Sequence, residues 1–295
     1  MTLPSSGTIT IAQIAAEFGG DAPHSLSEYY RGGGLVPTNN TNVPTSGTIT
    51  LSDFYSAVNQ VSVTASSASS VNLQTLFNNA ASGSWTSTVP KIYTVGASVV
   101  LGITTVPASM GGTLTINHSG DIQGTGGAGG TFSGTKTGSA GGTAMTVQST
   151  GVTINMLSGS TLSGGGGGGG AGGQGGRGER LGGGNLIFQD GGAGGAGGRG
   201  IGYSQSQTNG SAGVPGNSSP AGPASNEGGG GTGGNGASSF GTAGANGATG
   251  ANGNTTPGPT SGSTGGAAGR AVTFSGVSAY TIIGTNSGTI NGAYT

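Results

Sequence analysis

The sequence predicts a mainly β and irregular protein with a small N-terminal α+β module, a short β stack, and a glycine-rich bundle of polyglycine-II helices. Three observations lead to this prediction. Glycine supplies 72 of the 295 residues, whereas proteins average roughly 7%. Within the glycine-rich runs the other residues recur at every third position. A strand–turn–strand motif occurs before, within and after these runs.

The first predicted domain, 1–60, contains an internal repeat. The segment 4–14 (PSSGTITIAQI) recurs as 44–54 (PTSGTITLSDF), and each copy predicts an alternating strand followed by a short helix. A third helical turn, 25–34 (SLSEYYRGGG), lies between the two copies. These short elements favour a module that completes its fold against a partner protein, and a small self-contained cap is the alternative.

The apolar and aromatic residues of this repeat are candidates for contact with that partner. They are Ile9, Ile11, Tyr29, Tyr30, Ile49, Leu51, Phe54 and Tyr55.

The second predicted domain is a small β region, 61–123, with Trp85 and Tyr93 as the large residues of its core. The motif at 114–124 (LTINHSGDIQG) is repeated in related form at 152–164 and 280–292. Each copy predicts two strands joined by a polar turn, as in successive rungs of a parallel stack. The C-terminal strands, 271–295, are therefore expected to return to the same β layer.

The glycine runs form the third predicted domain, 124–270, where polyproline-type helices with three residues per turn would place one residue type along each edge. Runs of the type Gly-Gly-X leave two edges bare and are expected inside the bundle. Runs of the type Gly-X-X leave one bare edge and are expected outside. A collagen triple helix and a flexible Gly/Ser linker are the alternatives, but short, interrupted triplets argue against the first and regular register against the second.

Breaks in the triplet register carry the larger side chains, and loops on a rigid scaffold are common binding sites. The break at 179–190 contains Leu186, Ile187 and Phe188, and later breaks contain Tyr203, Phe240 and Pro257. We expect these six residues to contact a binding partner. Folding back of 186–188 as a plug at the end of the bundle is the alternative.

The sequence argues against several other classes of protein. It has no cysteine, and its two histidines, His24 and His118, lie in different predicted domains, so neither catalysis nor a metal or cofactor site is predicted. Seven Lys and Arg residues and a net charge of -1 make no basic patch for nucleic acid. No segment approaches the roughly 20 apolar residues of a membrane span.

Taken together, the motif at 114–124, the glycine runs and the N-terminal strings at 25–34 and 46–55 resemble bacteriophage tail proteins. The glycine-rich part is similar to the fibre-tip adhesins of T-even-like phages, and the resemblance covers 1–60 and 110–295. It implies a non-enzymatic virion protein, assembled in the host cytoplasm, at a fibre or tail tip. Bundle-end loops would contact a host surface protein or glycan, and 1–60 would bind another fibre, tail or baseplate protein.

Two alternatives stay open at this point. The protein could be a purely structural or decoration protein of the virion, without receptor contact. It could also be an ice-binding protein, since regular Ala and Thr faces suit ice; these would include Ala193, Ala196, Thr242, Ala248 and Thr249. The receptor, the host, the copy number and assembly into a homo-oligomer are not predicted.

Overall fold

The computed structural model describes residues 3–182, 185–216, 227–277, 280–284 and 288–294, of which 180–182, 185–187 and 280–284 are described by their backbone alone. Parallel β-strands dominate, with few helical residues, so the prediction of a mainly β protein is confirmed. Within the described ranges, no helix combines the length and the apolar character that crossing a membrane requires.

The N-terminal module contains one α-helix, α1 (Ile11–Phe18), and two short 3-10 helices, Leu26–Tyr29 and Leu51–Phe54. The strands predicted before α1 and before Leu51 are not formed, so this module is helical and irregular rather than α+β. The reason is local: Thr10 and Thr50 serve as N-caps, and their N–H groups bond the Gln13 and Asp53 side chains at 2.8 and 2.7 Å.

The same module encloses its own hydrophobic core. The residues of this core are Leu3, Ile9, Ile14, Phe18, Tyr29, Val36, Val43, Phe54 and Ala57. Tyr29 and Phe54 pack edge to face with their ring centroids 6.2 Å apart. Residues 3–57 therefore bury a core without a partner, as the self-contained alternative requires.

Two parallel sheets build the β stack. The first contains β1 (Val61–Thr64), β3 (Lys91–Val95), β5 (Leu114–His118), β8 (Val152–Met156) and β13 (Tyr280–Gly284). The second contains β2 (Ala68–Asn72), β4 (Val100–Val106), β6 (Asp121–Gln123), β7 (Met145–Val147), β9 (Thr161–Ser163), β12 (Val272–Phe274) and β14 (Thr289–Asn291). Helix α2 (Leu73–Ala80) packs on β1 and β4.

The three sequence motifs align as neighbouring rungs. Leu114 pairs with Val152, and Val152 pairs in turn with Tyr280, all in parallel register. The C-terminal strands thus return to the β layer, and the stack takes strands from each of the ranges 61–123, 124–270 and 271–295. Between the two sheets lies one core, in which Trp85 and Tyr93 are fully buried.

The second sheet is divided at one level. The first half of β4 pairs with β6, and its second half pairs with β7. In the next rung β9 pairs in parallel with β6, and β12 pairs in parallel with β7. The chain leaves the sheet after β6 and β9 and returns to it at β7 and β12. All glycine-rich sequence between 124 and 271, except β7 to β9, lies in these two excursions.

Candidate functional site

Eight extended segments outside the sheets form what we call the glycine array. They are 124–131, 136–144, 164–177, 190–202, 206–216, 227–237, 241–253 and 259–271. Their backbone hydrogen bonds join neighbouring segments and recur at every third residue. Gly127 and Gly130, for example, donate to Gly166 and Gly169 at 2.8 Å.

Segment 164–177 occupies the centre of the array. Its N–H groups donate in turn to three different neighbours, as in Gly168 to Ser139, Gly169 to Gly198 and Gly170 to Ala245. Its carbonyls accept from three further segments, which are 124–131, 227–237 and 259–271. The central segment therefore has six neighbours, and its backbone is satisfied without any internal hydrogen bond.

The six neighbours also bond to one another and close a ring around the centre. Going round the ring, the order is 124–131, 136–144, 259–271, 241–253, 227–237 and 190–202, with the last bonded to the first through Gly197 and Gly130. Segment 206–216 lies outside this ring, against 190–202 and 227–237. The array is thus a closed hexagonal packing with one added segment.

Glycine is required because the backbones lie too close for side chains. A Cβ on Gly169 would lie 1.9 Å from the Gly234 carbonyl oxygen, and one on Gly172 would lie 1.9 Å from that of Gly231. The number of neighbours follows the triplet type. The central segment has two glycines per triplet or more, and 190–202 and 227–237, with four neighbours each, are Gly-Gly-X. Segment 206–216, with two neighbours, is Gly-X-X.

Because consecutive segments run in opposite directions, the turns between them fall at two ends. At the stack end, Tyr203 donates from its backbone to Gly124, and Gly241 donates to Gly164. At the far end, Arg177 donates to the Pro257 carbonyl at 3.0 Å. The far end carries the loop around Pro257 and a hairpin of β10 (Gly178–Gly182) and β11 (Asn185–Gln189).

The structure divides the candidate contact residues between these ends. Phe188 and Pro257 lie at the far end and are exposed, Phe188 by 45%. Leu186 and Ile187 belong to β11 at the same end, and their side chains lie outside the described part of the structure. Tyr203 and Phe240 are half-buried in turns at the stack end. Most of the break between Pro215 and Glu227 lies outside the described residues.

A charged and aromatic cluster marks the far end. The Arg177 guanidinium carbon lies 5.0 Å from the centroid of the Phe188 ring, a cation–π distance. Arg177 Nε also lies 3.6 Å from an Asp190 carboxylate oxygen. The Asp190 side chain is 75% exposed and that of Arg177 is 38% exposed, so this ion pair contributes little to the stability of the fold.

Beside this cluster is a depression of about 320 Å³. It is lined by Gln189, Asp190, Gly192, Val214, Pro215 and Glu227. Val214 is 55% exposed, so the depression combines an apolar wall with carboxylates. Such a surface can contact another macromolecule, and it offers no arrangement typical of catalysis.

The N-terminal candidate residues fall into two groups. Ile9, Tyr29 and Phe54 lie in the core of the module, where they hold its fold. The others keep part of their side chain at the surface: Ile11, Tyr30, Ile49, Tyr55 and Leu51, the last 37% exposed. Only this second group is placed to touch a partner.

Sequence reasoning did not single out Arg177, Val214 or Asn254 at the far end. A usable signal was the alternation of the segments, because every second break must fall at the same end of the array. His118, one of the two histidines, lies buried in the stack with Nε2 2.8 Å from the Thr161 carbonyl, and burial lowers its pKa. The described residues contain no group of acidic and histidine side chains able to hold a metal ion.

Comparison with known proteins bears on the part of the chain that forms the stack and the array. The family model described as "Phage tail fibre adhesin Gp38" matches residues 58–295. No curated protein matches the chain. A solved structure described as the gp37-gp38 adhesin tip complex of the bacteriophage S16 long tail fibre is 19% identical, with a TM-score of 0.47, over 99% of this chain and 100% of that one. Because the family model covers most of the sequence, the protein belongs to the Gp38 family of phage tail fibre adhesins.

Proposed function

We propose that this adhesin binds a receptor on the host cell surface through the far end of its glycine array. The observation that carries the proposal is the exposed far-end cluster of Arg177, Phe188 and Asp190, supported by a backbone network and not by a mobile linker. Leu186, Ile187 and Pro257 belong to the same surface in this proposal. Tyr203 and Phe240 are at the stack end, and their contact with a receptor stays a prediction.

The array itself is, in this proposal, a bundle of polyglycine-II helices. Support comes from the three-residue recurrence of the hydrogen bonds and from the six neighbours of segment 164–177. At about 3.1 Å per residue, this segment would carry the far end about 40 Å from the β stack. A scaffold of this kind keeps the loops rigid and leaves their sequence free to vary.

The N-terminal module and the β stack would have separate roles. Residues 1–60 attach the adhesin to another fibre, tail or baseplate protein of the virion. The β stack, formed from 61–123, part of 124–270 and 271–295, joins this module to the array. The S16 relative is described as a complex with gp37, a second fibre protein, which is compatible with such an attachment.

An exchange of loops tests the receptor site. Replacing 178–189 by a Gly/Ser loop of equal length should abolish adsorption of the purified adhesin to host cells. The matched control replaces 203–206, at the stack end, and should leave adsorption within about twofold. Both variants should keep the melting temperature of the parent protein if the control loop retains Gln205, because the side-chain oxygen of Gln205 accepts from Gly126 N of the array at 2.7 Å.

The opposite pattern would overturn the assignment. Loss of adsorption with the 203–206 variant alone would place the contact surface at the stack end. Unchanged adsorption with both variants would place the receptor contact outside these two loops, and failure of the parent protein itself to adsorb would favour a purely structural tail protein. If adsorption is lost with the 178–189 variant, protease and periodate treatment of the host cells distinguishes a protein receptor from a glycan receptor.

A further inference from the structure

The chain contains pairs in which asparagine is followed by glycine. Such pairs are chemically labile, because the glycine nitrogen can attack the side-chain amide of the asparagine with no side chain of its own in the way. They are 209–210, 235–236, 246–247, 252–253 and 291–292. The first four lie in the glycine array and share one kind of extended backbone, so the surroundings of each pair decide how it reacts.

Two kinds of hydrogen bond oppose this attack. The glycine nitrogen must lose its proton and move toward the side-chain carbon, so a bond from its N–H to a fixed acceptor holds it back. The asparagine side chain must rotate toward the main chain, so a bond that holds its amide opposes the same step. A pair with both bonds is therefore protected, and a pair with neither is not.

The pair at Asn246 has both bonds. Gly247 N donates to the Ser263 carbonyl at 2.9 Å, and Asn246 Oδ1 accepts from Gly265 N at 3.0 Å. Both bonds join this segment to its neighbour in the ring around the centre. They therefore persist as long as the array stays folded.

The pair at Asn235 is held in the same way. Gly236 N donates to the Thr208 carbonyl at 3.1 Å, and Asn235 Oδ1 accepts from Gly210 N at 3.0 Å. The second bond also protects Asn209, because Gly210 supplies the nitrogen that would attack it. Three of the four pairs in the array thus have a bonded glycine N–H.

The N–H of Gly253 lacks the acceptor that its position in the triplet register would supply. Gly250, three residues earlier, donates to the Thr260 carbonyl at 3.2 Å. The corresponding carbonyl for Gly253, three residues before Thr260, belongs to Pro257. It accepts from Arg177 N at 3.0 Å instead. Among the described residues, the N–H of Gly253 has no hydrogen-bond acceptor.

The side chain of Asn252 is equally unrestrained. It is exposed, and its amide forms no hydrogen bond within the described part of the chain. The main chain is held on either side of it. Ala251 N donates to the Gly229 carbonyl at 2.8 Å, and the Asn254 side chain bonds the backbone of Glu179. The unprotected pair thus lies between two fixed points at the far end of the array.

We propose that Asn252 is a site of spontaneous deamidation that alters the far end with time, while the other three pairs of the array stay intact. The nitrogen of Gly253 loses its proton and bonds to Cγ of Asn252, the bond from Cγ to Nδ2 breaks, and ammonia leaves with that proton. Water then opens the five-membered imide. Opening at Cγ gives aspartate, and opening at the main-chain carbonyl gives isoaspartate.

Isoaspartate lengthens the main chain by one carbon atom between Ala251 and Asn254. The added atom displaces the Asn254 side chain from the Glu179 backbone, because Ala251 stays bonded to its neighbour. Receptor binding should then weaken as the protein ages. This effect on binding rests on the receptor site proposed above, whereas the chemistry at Asn252 does not.

Storage of the full-length protein tests the chemistry. The folded adhesin is kept at pH 8 and 37 °C, and conversion of each amide to a carboxyl group is followed by peptide mass spectrometry. Labelling by an isoaspartyl methyltransferase detects the isoaspartate. Asn252 should lose its amide at least tenfold faster than Asn246, which is also preceded by alanine. An equal or lower rate at Asn252 would overturn the proposal.

The unfolded chain is the control for local sequence. In concentrated urea the hydrogen bonds of the array are absent, so the rates at Asn246 and Asn252 should agree within about twofold. A preference for Asn252 that persists in urea would contradict protection by the array.

Aged protein tests the effect on binding. The parent, stored until most of Asn252 is converted, should bind host cells about tenfold more weakly than fresh protein. Asn252→Gln, whose longer side chain does not close the five-membered imide, should keep its binding over the same time. Equal losses in both proteins, or none in the converted parent, would overturn this effect. The receptor site itself would fail on a different result, namely unchanged adsorption of the fresh 178–189 variant.

Discussion

The side-chain amide of Asn254 bonds the backbone of Glu179 at two points. Its oxygen accepts from Glu179 N at 2.7 Å, and its nitrogen donates to the Glu179 carbonyl at 3.0 Å. Asn254 thereby takes the place of a neighbouring strand beside β10 and ties the far-end hairpin to the Pro257 loop. The two loops that carry the proposed receptor surface are therefore held together as one unit.

Replacing this amide should loosen the receptor surface without unfolding the protein. In Asn254→Ala both hydrogen bonds are lost, at a cost of about 0.5–1.5 kcal/mol each at an exposed site. Binding to host cells should weaken by about tenfold, measured with the labelled adhesin at equilibrium. Asn252→Ala, two residues earlier and also exposed, is the control and should bind normally. Equal binding by both variants would show that the bridge has no part in recognition.

Two adjacent glycines test whether the hexagonal packing holds in solution. A Cβ on Gly230 would lie 1.9 Å from the Ala193 carbonyl oxygen, whereas on Gly229 the nearest atom is 3.5 Å away. Gly229 has the same register as Thr232 and Asn235, which are both exposed. Gly230→Ala should therefore lower the free energy of unfolding by about 2–3 kcal/mol. Gly229→Ala should raise it by about 0.4–1 kcal/mol, because alanine restricts the unfolded chain.

Thermal unfolding followed by circular dichroism measures both variants. Opposite signs are expected for two substitutions that have the same chemistry and sit one residue apart. If the two variants have equal melting temperatures, the segments do not pack at the distances described.

A second pair of glycines tests the pairing of β2 with β4. A Cβ on Gly102, in β4, would lie 2.0 Å from the Ser69 carbonyl oxygen of β2, whereas a Cβ on Gly96 would meet nothing closer than 3.8 Å. Gly102→Ala should separate β2 from β4 and speed hydrogen exchange at 68–72, while Gly96→Ala should not. Unchanged exchange in both variants would contradict the close approach of these strands.

The buried Lys91 should matter for the stability of the stack. It is 1% exposed, and its ammonium donates to the carbonyls of Ser87, Val89 and Gly111 at 3.0, 2.9 and 2.8 Å. Lys91→Met would remove the donor from these half-buried acceptors, at a cost of about 1–3 kcal/mol in the free energy of unfolding. Lys136→Met, at an exposed position, is the control and should change the free energy of unfolding by less than about 0.5 kcal/mol.

The contribution of Lys91 should also depend on pH. Burial lowers the pKa of its ammonium from 10.5 to about 8. Between these values the unfolded chain binds more protons than the folded one, so the free energy of unfolding rises with pH across this window. The difference between the parent and Lys91→Met, followed by urea unfolding from pH 7 to 10.5, should increase above pH 8. A difference that falls with pH would mean that the three carbonyls raise this pKa.

Much of the array was predictable because glycine spacing is a local property. The triplets at Ala171, Gln174 and Arg177 predicted an extended segment with period three, and hydrogen bonds with that period are present. The end to which each loop belongs was harder to predict. Tyr203 and Phe188 look alike in sequence, but the direction of segment 190–202 places them at opposite ends.

The N-terminal strands show why pattern alone was insufficient. The alternation Thr8-Ile9-Thr10 is typical of a strand, but here Ile9 enters the core and Thr10 caps α1, so no strand pairs with it. The division of the second sheet depends on pairings such as Met145 with Val272, which are far apart in sequence. No spacing within either strand indicates that partner.

Photo-crosslinking from single positions measures the central claim most directly. Benzoylphenylalanine is placed at 188, at 257 or at 203 in the purified adhesin, which is then bound to host cells and irradiated. A crosslinked host-surface component is expected from 188 and 257, and none is expected from 203. Crosslinking from 203 without crosslinking from 188 or 257 would contradict binding through the far end of the array.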